Sequence, residues 1–400
     1  MHIVTSTDIL LPCAEDMGAW SVIACDQFTS EPEYWAAAEA RAAEKPSTLS
    51  LMLPEAWLHT ARADGADGRI ADTMRRYLAE GVFQTVPDSF IYVERTLPDG
   101  RIRRGLVAAL DLEQYDFTGT QRASVRSTEG TVEERLPPRV NIRRGAPLEM
   151  PHTLLLMDDR TDSVLSLAEK AKDALEKVYD FDLMLGGGHI AGWRVSGETK
   201  AAVQSALDAL DNAALQREKY GDAAENGKLT FAVGDGNHSL AAAKRFWEEK
   251  RETLPENERE TDPARFALVE IENIHEPSLD FEPIHRVIFD TDTSAFAADF
   301  TAHRTEWEAE DKTLGERVAA AESFCRAYIA AHGGYIDYIH GDDTARSLGE
   351  KPNCAAVLLP PVEKSGLFLS VLKNGALPKK SFSMGNARDK RYYLECRKIR

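Results

Sequence analysis

The 400-residue sequence lacks the features that mark secreted, membrane-spanning or zinc-binding proteins. Its five cysteines are odd in number, and none forms a Cys-x-x-Cys pair, so neither a disulfide framework nor a structural zinc site is indicated. No apolar run reaches membrane-spanning length, and the N-terminus lacks a basic region followed by a long apolar segment. We therefore expect a cytoplasmic protein with reduced thiols and no membrane partner.

Positive charge is also scarce. The chain has 48 Lys and Arg against 66 Asp and Glu, which gives a formal net charge of -18. The average field of such a protein repels a nucleic-acid backbone, so a general nucleic-acid partner is not expected. With 43% apolar residues the chain can bury substantial cores. We predict an N-terminal α+β region over 1–150, a core over 151–300 and a C-terminal α+β region over 301–400.

Strand and helix patterns alternate along the chain without an internal repeat or a regular βαβ rhythm. Pro98-Asp99-Gly100 between two apolar runs predicts a β-hairpin. A helix is predicted from Ser163 to about Val178, and a strand at Leu367–Val371. The fold class expected from this mixture is α+β, with mixed β-sheets and interleaved helices.

The most informative segment runs from Lys228 to Trp247. Leu229, Phe231 and Val233 alternate as in a half-buried strand, and good helix formers follow Leu240. The intervening Gly-Asp-Gly-Asn-His-Ser has the layout of a phosphate-binding turn, because the first amides of a helix point outward with a positive dipole end behind them.

Two interpretations of this turn remain open. In the first, Asp235 holds a magnesium ion that accompanies a polyphosphate, and His238 contacts a phosphate oxygen or moves a proton near neutral pH. In the second, Asp235 or Asn237 only caps the helix and His238 packs beside it. The spacing alone favours neither.

Three other clusters carry chemically useful side chains. The loop that contains Arg122, Arg126 and Glu129 could clamp a phosphate and supply a carboxylate base, or could be an exposed loop with self-paired charges. His285 and Arg286 stand where the chain re-enters a sheet, a place where such pairs are more often structural. Lys380 belongs to a basic pair near the C-terminus.

Together these clusters resemble a large, mostly uncharacterised bacterial family. Asp235-Gly-Asn-His-Ser-Leu-Ala-Ala-Ala is similar to that family's Asp-Gly-x-His-Arg-x-x-Ala signature. The order of the Glu134-Arg135-Leu136 stretch, Pro283-Ile-His-Arg-Val and Leu377-Pro-Lys-Lys-Ser381 also agrees. The family is thought to share the ParB/sulfiredoxin-like fold, to which archaeal free serine kinase also belongs. The resemblance therefore implies a ParB/sulfiredoxin-like nucleotide-binding core within a larger composite chain.

The resemblance implies ATP or ADP with Mg²⁺ as cofactor and a small-molecule substrate, with a phosphoryl group transferred to a hydroxyl. Asp235, His238 and Glu129 are the implied catalytic residues, and Asp235 is also the metal ligand. The phosphate-binding residues would be Gly236, Asn237, Ser239, Arg122, Arg126, His285, Arg286 and Lys380. Self-association is left open.

Ser239 stands where the signature usually has arginine, so this chain lacks one cationic phosphate clamp. Arg122, Arg126, Arg286 or Lys380 could replace it if the fold brings them to the turn. We expect the turn, the loop that ends at Glu129, and His285–Arg286 to converge. The alternative function is a nucleotide-responsive binding or regulatory protein without turnover.

Overall fold

The computed structural model describes residues 2–119, 122–150 and 152–400, in which strands and helices alternate irregularly. The predicted α+β class with mixed sheets is confirmed. Within these ranges no helix is long and apolar enough to cross a membrane.

The strands are β1 (Val4–Thr5), β2 (Thr7–Pro12), β3 (Val22–Ile23), β4 (Phe83–Thr96), β5 (Ile102–Asp111), β6 (Tyr115–Asp116), β7 (Val125–Ser127), β8 (Leu148–Glu149), β9 (Leu154–Met157), β10 (Glu176–Asp182), β11 (His189–Val195), β12 (Phe231–Asp235), β13 (Phe266–Asn273), β14 (Phe281–Phe289), β15 (Tyr335–His340), β16 (Ala355–Val357), β17 (Phe382–Met384), β18 (Tyr392–Tyr393) and β19 (Arg397–Lys398).

The α-helices are α1 (Met17–Trp20), α2 (Pro32–Ala42), α3 (Ala66–Ala79), α4 (Leu136–Gly145), α5 (Leu165–Ala171), α6 (Gly197–Leu210), α7 (Ala213–Tyr220), α8 (Asn237–Thr253), α9 (Phe296–His303), α10 (Thr305–Glu308), α11 (Leu314–His332), α12 (Asp342–Gly349) and α13 (Leu367–Asn374).

One large mixed sheet positions the turn. Its order is β10-β11-β4-β5-β13-β9-β12-β7-β6, with β1 added on β5 and β2 on β4. Strand β12 is parallel to β7 on one side and antiparallel to β9 on the other. Strands β4 and β5 lie side by side between β11 and β13, so this sheet contains strands from both sides of residue 150.

Both faces of the sheet are buried. Phe90 and Tyr92 on β4 pack into one apolar core, and Ile91 and Val93 on the same strand pack into the other. Successive side chains of a strand point to opposite faces, so the apolar run of β4 fits a strand covered on both sides. The sheet is therefore a rigid support for the segment that follows β12.

A smaller sheet forms from the last third of the chain. Its order is β15-β14-β16, and β17 pairs with the beginning of β14. Helix α11 packs against β14 and β15. This sheet meets the large one near the turn, because Met384 on β17 lies against Gly234.

Candidate functional site

The turn after β12 has the predicted strand-turn-helix geometry. Gly236 adopts a left-handed backbone with φ of +77°. A Cβ atom at this position would lie 2.9 Å from both Cα and Oγ1 of Thr153. Only glycine satisfies both constraints without strain, since other residues rarely adopt positive φ.

The N-terminus of α8 is not capped by a side chain. Gly236 occupies the N-cap position, and among the residues that the structure describes no side-chain cap hydrogen bond is formed there. The structural alternative, in which Asp235 or Asn237 caps the helix, is therefore not what the structure shows. The outward amides and the positive end of the 17-residue helix are available to an anion.

Five of the 16 buried side-chain polar atoms without hydrogen-bond partners in the described part of the chain lie around this turn. They are Oδ2 of Asp235, Oδ1 of Asn237, Oγ1 of Thr131, Oγ1 of Thr153 and Nε2 of His152. An unsatisfied buried polar group costs about 1–3 kcal/mol, so native folds keep few of them. Their concentration at one place indicates a site that a ligand completes.

Lys390 supplies a cation that the sequence analysis did not identify. Its Nζ lies 3.6 Å from Oδ2 of Asp235, and both side chains are largely buried. Antiparallel pairing of β18 with β3 brings Lys390, just before β18, close to Asp26, just after β3. The run Arg388-Asp389-Lys390-Arg391 was the available signal, but strand pairing between the two chain ends is not visible in it.

Two buried arginines hold the backbone that carries Lys390. Arg103 donates from Nη1 to the carbonyl of Asp389 at 2.6 Å. Arg95 donates to four carbonyls, those of Gly187, Arg388, Asp389 and Lys390. Hydrogen bonds from charged donors are stronger than neutral ones, so the position of Lys390 is well determined.

His152 and Asp26 form a second charged pair beside the turn, with Nε2 and Oδ2 3.7 Å apart. Burial lowers the pKa of His152, but the Asp26 carboxylate raises it above its usual value. Burial likewise raises the pKa of Asp26, yet His152 brings it below its usual range. Each partner therefore favours the charged form of the other, and a protonated His152 would be a second buried cation beside the turn. Neither residue was singled out from the sequence.

Glu129 approaches the turn from the other side. Strand β7 runs beside β12, and the Thr128 hydroxyl donates to the Val233 carbonyl at 2.6 Å. Oε1 of Glu129 accepts the Ser381 amide at 3.1 Å. Burial raises the pKa of Glu129, opposed by the Ser381 amide and by the charges of Lys380 and Lys390. Glu129 therefore lies near the turn, and Lys380 is close enough to influence its carboxylate.

His238 is present at the turn but is not a cation. Its Nε2 accepts the backbone N–H of Val132 at 3.2 Å. Burial lowers the pKa of His238 to about 4, and the positive charges of Arg139 and Arg135 contribute to this lowering. A neutral ring at pH 7 positions the loop after Glu129, which corrects the idea that His238 moves a proton near neutral pH.

Arg122 and Arg126 do not reach the turn. Because β7 and β12 are parallel, Arg126 pairs with Ala232, four residues and about 13 Å of strand before Gly236, and Arg122 lies farther back. Arg122 donates to the carbonyl of Glu225, and Arg126 to carbonyls of Asn226 and Lys228. They hold the loop before β12 instead of a phosphate.

The side chains of His285 and Arg286 make their contacts within the smaller sheet. His285 is fully buried in the smaller sheet, where Nδ1 accepts the Leu359 amide and Nε2 contacts Asp342. Arg286 is equally buried and pairs with Glu322 under α11. Glu129 therefore lies near the turn, whereas the side chains of His285 and Arg286 are held by partners within the smaller sheet.

The oxygen atoms at the turn suit a metal ion that is also bound by phosphate. No cluster of three or more His, Cys, Asp or Glu suited to a metal ion occurs in the described ranges. Mg²⁺ commonly takes one or two protein carboxylates, with phosphates and water completing its shell. The unsatisfied Oδ2 of Asp235 fits that role.

Comparison with solved structures finds distant similarities. A conserved hypothetical protein from Pyrococcus furiosus aligns with 9% identity and a TM-score of 0.33, covering 73% of this chain and 95% of the other. A free serine kinase in complex with AMP aligns with 10% identity and a TM-score of 0.35, covering 72% and 90%. C-terminally truncated SbnI from Staphylococcus aureus has 10% identity and a TM-score of 0.32, covering 70% and 82%.

No curated protein matches the chain. Residues 8–398, almost the entire sequence, match the family described as "Protein of unknown function (DUF1015)". The chain therefore belongs to the DUF1015 family.

Proposed function

We propose that this protein binds ATP or ADP with Mg²⁺ at the Asp235–Ser239 turn and transfers the terminal phosphoryl group to the hydroxyl of a small molecule. The cluster of unsatisfied buried polar atoms around an uncapped helix N-terminus carries the proposal. A ParB/sulfiredoxin-like nucleotide-binding core, which the signature resemblance implies, is part of the same proposal.

The cluster suits a metal-bound phosphate better than a bare anion. Its oxygens on Asp235 and Asn237 accept hydrogen bonds or bind a cation, whereas the ring of His152 and the two threonine hydroxyls can donate. A bare phosphate would be repelled by the Asp235 carboxylate. A phosphate that carries Mg²⁺ presents a positive charge to the acceptor oxygens and negative oxygens to the hydrogen-bond donors.

Lys390 compensates for the arginine that the signature has and this chain lacks at Ser239. Its ammonium group is the cation nearest to Asp235 among the ion pairs of the described residues. Lysine acts as a point charge on phosphates, and placement by Arg95 and Arg103 gives it the fixed position that phosphoryl transfer requires.

In the proposed reaction the acceptor oxygen forms a bond to the terminal phosphorus as the bridging P–O bond breaks. The acceptor proton passes to Glu129, and the nucleotide leaves with one phosphate fewer. Burial raises the pKa of Glu129, which makes this carboxylate a better base. Mg²⁺, when bound, neutralises charge on the phosphate oxygens.

Turnover can be tested by ³¹P NMR with ATP or ADP, Mg²⁺ and a panel of small hydroxyl compounds. We expect a new phosphomonoester signal with the parent protein. Glu129→Gln is expected to abolish this signal while retaining nucleotide binding, because the base is lost and the phosphate contacts remain. Glu134→Gln, at an exposed position five residues after Glu129, is the matched control and is expected to behave like the parent.

The outcomes separate the two functional classes. Nucleotide binding without any phosphorylated product would favour the nucleotide-responsive binding protein. Absence of binding to both nucleotides at millimolar concentration would overturn the proposal.

A further inference from the structure

A cavity of about 160 Å³ begins at the turn and extends along the side of α8. Ser239 and Thr153 form the end next to the turn, and Ala243 lines the wall from α8. Helices α3 and α4 enclose it, and most of its remaining surface is apolar, with three methionines, Met52, Met74 and Met150.

The charged side chains on the cavity wall are already neutralised. Glu55 pairs with Arg139, Glu149 with Arg143, and His152 with Asp26. Burial raises the pKa of the Cys25 thiol to about 12, so that it stays protonated. An uncharged ligand with an apolar body and a few polar atoms therefore fits this space better than an ion does.

Sheet topology places this cavity on the side of the turn opposite to Glu129. Strand β12 lies between β7, which leads to Glu129, and β9, which is preceded by Thr153. A ligand whose phosphates lie over Gly236 consequently has one end toward the base and the other toward the cavity. The reacting phosphoryl group belongs at the Glu129 end, so the nucleoside belongs at the cavity end.

We propose that the cavity is the nucleobase pocket of this protein. The proposal rests on the proposed function, because it assumes that nucleotide phosphates occupy the turn. A cavity of about 150 Å³ is known to accommodate benzene, so a flat heterocyclic ring is of suitable size. Methionine thioethers pack favourably against aromatic rings and adapt to their outline.

Methyl NMR of the protein labelled at its methionine methyl groups tests both levels of the proposal. Met384 lies against Gly234 and reports on the turn. Met52, Met74 and Met150 report on the cavity. Met157 pairs with Phe231 at the far end of β12 and serves as the internal control. Single Met→Leu substitutions assign the signals, since they largely conserve volume.

With Mg²⁺ present, we expect inorganic pyrophosphate to shift the Met384 signal only. ADP is expected to shift Met384 and also Met52, Met74 and Met150, with Met157 unchanged. ADP could shift the Met384 signal and affect the cavity methionines no more than pyrophosphate does. In that case the assignment of the nucleobase pocket is wrong, while the phosphate site is still supported. If neither ligand shifts Met384, the proposed function itself fails.

Ala243→Leu provides a second, independent readout, because it narrows the cavity without touching the turn. We expect it to raise the dissociation constant for ADP at least about tenfold, because a misfit of one methylene already has an effect of that size and leucine adds three carbon atoms. Pyrophosphate binding is expected to stay unchanged. An equal loss of affinity for ADP and for pyrophosphate would contradict the assignment of the cavity as the nucleobase pocket. Should this variant fold poorly, the NMR experiment on the parent protein still decides.

Discussion

Asp235 has a buried carboxylate oxygen with no hydrogen bond among the described residues and one ion pair at 3.6 Å. Because this charge faces the site and not the core, we expect Asp235→Asn to weaken Mg²⁺–ADP binding at least about tenfold, or 1.4 kcal/mol. Melting temperature is expected to change little. Calorimetry of the variant, with the exposed Asp343→Asn as control, measures this. Unchanged binding together with a melting temperature several degrees lower would mean that Asp235 is only structural.

His238 gives a prediction for pH dependence. Its pKa in the folded protein is about 4, below the usual 6.5, so the unfolded chain binds more protons between these values. The stability that neutral His238 contributes is complete above pH 6.5 and is lost as the pH falls toward 4. Replacing it by glutamine, which can still accept the Val132 amide, is expected to flatten the rise in unfolding free energy with pH.

Urea unfolding of the parent and His238→Gln at pH 5.5 and pH 8 measures the difference directly. Because the two proteins differ at one titrating group, contributions from His152 and Asp26 cancel. The low pKa of His238 would be contradicted if the unfolding free energy of the parent fell no more than that of the variant between pH 8 and pH 5.5.

Among the elements, the turn after β12 sets the geometry of the site. Gly236→Ala places a Cβ 2.9 Å from the Thr153 backbone at a φ of +77°. We expect it to lower the unfolding free energy by at least about 1 kcal/mol and to weaken nucleotide binding, because the start of α8 must shift. Gly366→Ala is the matched control, since a Cβ atom added there would have no neighbour within 4 Å. Equal effects of both substitutions in urea unfolding and calorimetry would refute the role of the turn.

The segment before β18 is the second element on which the site depends. Arg95 is a positioning residue that acts through Lys390, so Arg95→Gln and Lys390→Met are expected to be non-additive for ADP affinity. The double variant should bind nearly as well as Lys390→Met alone, since Arg95 has nothing left to position. ADP titrations of the four proteins give the coupling. Arg95 would have only a structural role if the two substitutions had additive effects on ADP affinity and only the Arg95 substitution lowered the Tm.

Local signals predicted some elements and missed others. Pro98-Asp99-Gly100 forms the predicted hairpin, with Thr96 opposite Ile102. The helix expected to reach Val178 ends at Ala171, and β10 begins at Glu176 because β11 pairs with it. Leu367–Val371, predicted as a strand, begins α13. A short apolar run fits either structure, and tertiary contacts decide between them.

At the scale of the whole molecule, the site combines segments that are far apart in sequence. The turn and Glu129 could be predicted, because each belongs to a recognisable motif. Asp26, His152 and Lys390 could not, because they meet through pairing of β3 with β18 and of β9 with β12. The same topology removes Arg122 and Arg126, since the direction of β7 relative to β12 is not encoded in any local pattern.

The most direct test of the central claim is a crystal structure of the protein with ADP and Mg²⁺. We expect phosphate oxygens within about 3.2 Å of Lys390 Nζ and of the first amides of α8, with the metal bound to Asp235. The phosphate-site assignment would be contradicted if the nucleotide phosphates lay elsewhere on the protein and the turn between β12 and α8 held only water.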